Sequence, residues 1–462
     1  MNKKKTLLIL VGVLVVVTVL AIAATMSQHK QEQISESGEA VFQLDTDKVT
    51  TLSWDNDGKT LSFHKDGDQW VYDSDASFPV SEASINQMLS VFKDFTAAYT
   101  ISDVDDYGQY GLDKPKCTIN IGTDSDSYCI KIGDYSQMDS QRYVSLTDGT
   151  VVLAVTDPLD TFNVGLEGVI QTDAVPDLVD YTCVKTITFK GNADYTITYE
   201  KDSPRAISDK DVFFTDEGVL STSKVKTWLD KLSVLTLGDY VTYQATDDDL
   251  AKCGLDNPTT TATVNYTDPD GNDATFTISF SADQDALAKA KETEETSDDE
   301  AVDCYARIGD SSIIYKIDYS SYQPLTAVTY NDLRSSTLFT ASTDDITSID
   351  VELSGDTYSL TREGSGDSAK WSCGDKSDID MTSIKDALTA VTADSFVTEG
   401  DTSKLELGLT VKLDNANSTE TKLQFYRYDG SDCLAVVNGT PTALVPRSQV
   451  VDLTEAINEV VL

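Results

Sequence analysis

Two histidines, His29 and His64, are all that the 462-residue chain offers for imidazole chemistry. His29 falls in a polar stretch near the N-terminus. That leaves His64 as the single candidate base for a serine or cysteine nucleophile, and it excludes a multi-histidine metal site. Set in a strand-like run, His64 reads as an ordinary strand residue. The seven cysteines, Cys117, Cys129, Cys183, Cys253, Cys304, Cys373 and Cys433, contain no Cys-x-x-Cys pair, so zinc and thioredoxin-like chemistry have no support. Cys304 and Cys433 occupy matching hairpin positions and are expected as free, buried thiols. Cys117 and Cys129 are the two that neighbouring strands could bring together. Carboxylates number 78, too many for any pair to stand out as the acid and nucleophile of a glycosidase. The nearest approach to a calcium loop is Asp268-Pro269-Asp270-Gly271-Asn272-Asp273. Its glycine comes too early for EF-hand spacing, and a hairpin turn uses the same residue types. With no P-loop, no Gly-x-Ser-x-Gly elbow and no dinucleotide fingerprint, the sequence implies no catalytic residue, no cofactor and no metal.

Charge narrows the partners. Against 35 Lys and Arg the 78 acids give a formal net charge of −43. A nucleic acid is a polyanion held by clustered cations, so it is excluded as a partner. Hydrophobic residues make up 40% of the chain, enough for packed cores, and its length allows about three domains at roughly 100–200 residues each.

The address is written at the N-terminus. Residues 1–5 carry three consecutive lysines, and residues 6–26 form an uncharged apolar run. About 20 such residues span a bilayer, whereas the apolar part of a cleaved signal is usually about 7–15. An uncleaved anchor is therefore expected, with Ala21-Ile22-Ala23 as the cleavage-site alternative. The lysines place residues 1–5 in the cytoplasm and the large remainder outside the cell membrane. No cysteine follows the apolar run, which excludes a lipoprotein. Residues 27–41 read as a polar stalk.

Beyond the stalk the sequence repeats itself three times. Each copy opens with strand-like runs joined by turn residues: Val49–Trp54, Thr60–His64 and Gln69–Tyr72; then Val184–Phe189, Tyr195–Tyr199 and Val212–Phe214; then Ile346–Leu353, Thr357–Thr361 and Lys370–Ser372. Trp70 and Trp371 match, with Phe213 or Phe214 between them. An amphipathic helix follows each time, marked at i, i+3, i+4 and i+7 by Ile85, Met88, Leu89 and Phe92, by Val225, Trp228, Leu229 and Leu232, and by Ile384, Ala387, Leu388 and Val391. Ser81, Ser221 and Thr382 stand near the helix starts, where caps are needed. The sharpest signature comes next: Gly111-Leu112-Asp113-Lys114-Pro115, Gly254-Leu255-Asp256-Asn257-Pro258 and a weaker Leu407-Gly408-Leu409-Thr410. In it Gly111 and Gly254 permit positive φ, Asp113 and Asp256 can bond their own backbone, and Pro115 and Pro258 launch the next strand. Leu112, Leu255 and Leu409 are expected to plug the core. Hairpins close each copy. The expected fold is therefore α+β: a transmembrane helix followed by three tandem repeats, each a mainly antiparallel sheet with one amphipathic helix packed on it. The repeats span 42–177, 178–341 and 342–462, with an acidic insertion at 283–301 that reads as a mobile loop.

On its lysines and anchor, its Gln69-Trp70 hairpin, its helix and its Tyr110-Gly111-Leu112-Asp113-Lys114-Pro115 turn, the chain resembles a bacterial domain-of-unknown-function family of membrane-anchored envelope proteins. The resemblance covers Phe42 to the C-terminus when all three copies are counted. Such proteins are typically encoded beside gliding-motility (Gld)-type ABC transporters, so the resemblance implies an auxiliary or scaffold role beside an ABC permease and ATPase or other envelope proteins. It carries no catalytic residues. Copy two departs from it in having Cys253 before its glycine and no hairpin tryptophan, and copy three lacks the Asp-x-Pro part. The expectation is a non-enzymatic protein. A polysaccharide- or other ligand-binding module using exposed aromatics is the alternative, and a carboxylate-based hydrolase comes third.

Overall fold

The computed structural model describes residues 39–56, 58–101, 104–283, 286–287, 302–364 and 369–462. The expected tail at 1–5, the anchor at 6–26, most of the stalk at 27–41 and nearly all of the insertion at 283–301 lie outside the described residues. Among the described residues no helix is long and apolar enough to cross a membrane.

Three antiparallel sheets of nine, eight and nine strands follow one another along the chain. The first repeat begins with Val49–Asn56, Lys59–Asp66 and Gln69–Tyr72, passes through helix Glu82–Ser90, and continues with Phe95–Ile101, Cys117–Thr123, Ser127–Ser136, Gln141–Ser145 and Val151–Ala154. In space these eight strands lie in the order third, second, first, fifth, sixth, seventh, eighth, fourth. The second repeat has the same order, built from Val184–Gly191, Tyr195–Tyr199, Phe213–Phe214, Tyr240–Thr242, Thr260–Thr267, Asp273–Ala282, Cys304–Ile308 and Ile314–Ile317. So does the third, from Ile346–Leu353, Asp356–Glu363, Lys370–Cys373, Ser395–Phe396, Leu405–Leu413, Glu420–Arg427, Asp432–Val437 and Thr440–Pro446. Glu39–Phe42 adds an edge to the first sheet and Lys376–Ser377 to the third. Short hairpins fix the registers. At one of them Asn438 and Gly439 both adopt positive φ, 50° and 83°, the backbone of a tight two-residue turn.

Alternation turns one face of each sheet inward. Trp54 pairs with Leu61 and Ile119, Phe189 with Tyr195 and Ala262, and Val351 with Tyr358 and Leu409. All three of Trp54, Phe189 and Val351 are fully buried. The helix covers this face. Ile85, Met88 and Leu89 are buried in the first helix, Val225, Trp228, Leu229 and Leu232 in helix Thr222–Ser233, and Ile384 and Leu388 in helix Thr382–Ala390. The Trp228 ring meets Phe189 edge-on at 5.1 Å, and its indole N–H donates to the Leu325 carbonyl. Ser81 and Ser221 cap their helices by accepting from the amides of Ser84 and Lys224. Thr382 does not cap; it is the first helical residue, and Asp380 Oδ1 accepts its amide instead.

One helix per repeat is an undercount. A second helical piece follows the last hairpin each time: Leu159–Phe162, Tyr319–Thr326 and the 15-residue Arg447–Val461. Val450, Leu453, Ala456 and Ile457 of the last are buried in the third core. Compactness divides the chain in two. One unit runs up to Asp173 and takes in Gly238–Tyr243, where Tyr243 Oη donates to Asp75 Oδ2 at 2.6 Å and its ring meets Phe78. The other holds Ala174–Leu237 and Gln244–Leu462, so the second repeat, apart from its strand Tyr240–Thr242, shares a unit with the third. Inside it the Asn415 amide donates to the Ile207 carbonyl at 2.9 Å.

Candidate functional site

The glycine-leucine-aspartate motif is a helix stop. In the first repeat a 3₁₀ turn, Gly108–Tyr110, ends at Gly111 with φ +68°. The Leu112 amide bonds back to the Tyr107 carbonyl and the Gly111 amide to Gly108. In the second, helix Asp247–Lys252 ends with Gly254 at φ +67°, the Leu255 amide on Leu250 and the Gly254 amide on Ala251. These paired bonds around a left-handed glycine make a Schellman cap, in which the residue after the glycine packs back on the helix. Leu112 and Leu255 are buried accordingly, Leu255 beside Leu250. The two aspartates do not make the turn: Asp113 and Asp256 are exposed, and neither side chain forms a hydrogen bond among the described residues. Pro115 and Pro258 are half-buried just before their strands.

This cap crosses the outer face of the sheet, opposite the helix-covered core. A β-carbon on Gly133 of strand Ser127–Ser136 would collide with the Tyr110 carbonyl oxygen, so the strand needs glycine where the strap passes. In the second repeat Ser281 takes the equivalent position under Gly254. The third repeat differs. Gly408 and Leu409 lie inside strand Leu405–Leu413, with Leu409 paired to Val351, where Ile119 pairs to Trp54 in the first repeat. The expected third turn is thus a strand. At the crossing point stands Tyr426, too large to pass a strap, and Glu406 instead ties Arg427 and Arg447 together at 2.6 and 3.0 Å. Burial pulls the Glu406 pKa up, but the two guanidiniums outweigh it and leave it below the usual glutamate value.

The groups with chemical potential are dispersed. His64 Nδ1 sits 2.6 Å from Asp73 Oδ1, with both side chains about half exposed. All seven cysteines are free. Burial pushes the Cys117 thiol up to about 11 and the Cys304 and Cys433 thiols up to about 12, so none of these three is a thiolate at neutral pH. Segment Asp268–Asp273 is a hairpin turn in which Asp268 accepts the Asn272 amide, and no cluster of three or more metal-ligating side chains occurs among the described residues. The matched Trp70 and Trp371 are buried, as are Trp54 and Trp228. The Trp70 indole N–H has no partner.

Two larger hollows open in the second unit. One, of about 710 Å³, is walled by Tyr181, Tyr199, Asp211 and Asn417. The other, of about 630 Å³, is walled by Trp228, Lys231, Pro324 and Phe396. In the first unit a groove of about 310 Å³ runs over the outer face of the sheet, across Thr51, Ser53, Ser62, Asn120, Gly122 and Ser127. The signal for it was in the sequence, as small polar residues alternating with the buried ones on four neighbouring strands.

A family model described as a domain of unknown function, DUF4340, matches residues 70–258 and again 217–410, together well over half of the chain. Both matches start at or just after the third strand of one repeat and run into the cap or fifth strand of the next, so they are offset by about one structural repeat. No curated protein and no solved structure matches the chain.

Proposed function

Because the chain belongs to the DUF4340 family, whose function is open, its role must be argued from its own residues: we propose a non-enzymatic, membrane-anchored extracytoplasmic protein, an auxiliary or scaffold component of a gliding-type ABC transporter or related envelope complex. The observation that carries this reading is how the polar residues of the repeated unit are used. The glycine-leucine motif, the sharpest signature of the repeats, stops a helix and straps a sheet in the first two of them. The Arg142–Asp157 and Glu406–Arg427–Arg447 pairs hold strands and loops together. The tryptophans sit in cores rather than on a binding face, while Tyr99, Tyr135 and Tyr428 are exposed, so an aromatic platform for polysaccharide would have to be built without tryptophan. Three lysines followed by 21 uncharged residues argue for the anchor.

The test is affinity capture of the full-length protein from its native cell in mild detergent, followed by mass spectrometry. An ABC permease and its ATPase are expected in stoichiometric yield. Recovery of the protein alone, or a purified full-length chain that turns over a substrate and loses that activity on one carboxylate substitution, overturns the reading.

A further inference from the structure

The three repeats offer an internal comparison on their outer sheet faces. In the second repeat the four strands Tyr195–Tyr199, Val184–Gly191, Thr260–Thr267 and Asp273–Ala282 turn outward a lattice of threonine, serine and asparagine whose side chains bond one another. Thr188 pairs with Thr196 at 3.0 Å, Thr263 with Thr277 at 3.1 Å and Thr261 with Ser279 at 3.0 Å. Asn265 closes the lattice by donating to Thr186 at 2.9 Å and accepting from Thr275 at 2.7 Å. In the third repeat the equivalent position is Lys412, which pairs with Asp350 at 3.4 Å, while Ser359 donates to the same carboxylate. In the first repeat it is Gly122.

Gly122 does not have a positive φ, so its backbone does not require glycine. What it lacks is a side chain, and a β-carbon there would collide with Thr51 Oγ1. Glycine inside a strand marks a place where something else approaches the backbone closely. Here Thr51 Oγ1 makes that approach, and over it opens the groove of about 310 Å³, at the small end of ligand-sized cavities. The groove's hydrogen-bonding groups are largely unspent. The side chains of Thr51, Ser62 and Ser127 form no hydrogen bond among the described residues, and Asn120 makes only a long one, 3.4 Å, to Ser53. One charged side chain reaches the groove, Asp73, whose Oδ1 lies 2.6 Å from His64 Nδ1. Apart from that one carboxylate at its edge the recess is lined by hydroxyls and an amide, and it holds no cationic side chain to fix an anion. Its hydroxyls and its amide both donate and accept, as sugar hydroxyls do.

We propose that this groove on the first repeat binds a neutral oligosaccharide, and that Asn265 in the second repeat and Lys412 in the third fill the equivalent place; the hollow of about 210 Å³ that the third outer face keeps is lined by Asp350, Glu352 and Lys422 and is therefore charged. The proposal stands apart from the transporter reading, since a scaffold subunit can carry or lack a glycan site. The experiment is titration calorimetry of the full-length protein in detergent with neutral tetrasaccharides, cellotetraose, maltotetraose and tetra-N-acetylchitotetraose, and with the charged comparators tetragalacturonate and chitosan tetramer. Saturable binding of at least one neutral tetrasaccharide is expected, with neither charged tetramer binding within tenfold of it. Gly122→Asn, which places the closing side chain of the second repeat in the groove, should weaken that binding at least tenfold. Should G122N fail to fold, the double variant Ser62→Ala/Asn120→Ala, at a half-buried and an exposed position, should weaken it to the same extent. No binding by any neutral tetrasaccharide, preference for a charged one, or binding that survives both changes overturns the proposal.

Discussion

Arg142 shows what a single side chain can hold in place. Its Nε donates to both carboxylate oxygens of Asp157, at 2.8 and 2.6 Å, and its Nη1 to the carbonyl of Gly133, the residue over which the strap passes. The two side chains are only 14% and 15% exposed. Removing one partner of such a pair leaves an uncompensated charge in a poorly solvated place, which costs more than the pair itself contributes. Asp157→Ala is therefore expected to lower the stability of the first unit by about 3 kcal/mol, read by urea denaturation. Arg142→Met/Asp157→Leu, which removes both charges and keeps the volume, should recover much of that loss. A double variant no better than the single would show that the carboxylate acts through its bond to the Leu159 amide rather than through the ion pair. Sequence gives no hint of this pairing, because 15 residues and a hairpin separate the partners and Asp is everywhere in the chain.

At the scale of elements, much was readable because it is periodic. Apolar residues at i, i+3, i+4 and i+7 placed three helices, and turn residues between alternating runs placed the hairpins, since both signals depend only on near neighbours. What escaped depended on distant ones. Gly408-Leu409 repeats the glycine-leucine pair of the cap motif without its Asp-x-Pro, yet pairing with Ile346–Leu353 makes it a strand, and only the register shows that Tyr426 blocks the strap there. The C-terminal helix was within reach, because Val450, Leu453 and Ile457 have helical spacing, but its counterparts Leu159–Phe162 and Tyr319–Thr326 are too short to show that spacing as a repeat. The groove on the first sheet was half visible. Its serines and threonines show in the alternation, while the meaning of Gly122 emerges only beside Asn265 and Lys412. The strap makes a sharp prediction at this scale. Gly133→Val puts a branched side chain where the Tyr110 carbonyl passes, so the strap must lift and expose Leu112. A loss of about 2–4 kcal/mol is expected, combining overpacking with lost burial. Gly430→Ala, in an exposed turn where a β-carbon meets nothing within 4 Å, serves as the comparison. If Gly133→Val unfolds at the same urea concentration as wild type, the strap is not clamped to the sheet.

Across the whole molecule, three sheets are distributed over two compact units, and that grouping governs how the chain unfolds. Leu89, Leu229 and Leu388 occupy the same place in their helices and each is fully buried, so truncation to alanine should cost a similar amount at each, about 2–5 kcal/mol. The consequences should nonetheless differ. Units with separate cores melt as separate cooperative transitions, whereas repeats that share one unit melt together. Scanning calorimetry should resolve two transitions. Leu89→Ala should move only one of them, and Leu229→Ala and Leu388→Ala should both move the other, although they lie in different sheets. Three independently shifted transitions would mean that each repeat is its own folding unit, held to its neighbour only by contacts such as Asn415 on the Ile207 carbonyl. Added salt should raise both melting temperatures, because the net charge of −43 repels itself in the folded state and screening relieves that repulsion over distances beyond about 8 Å.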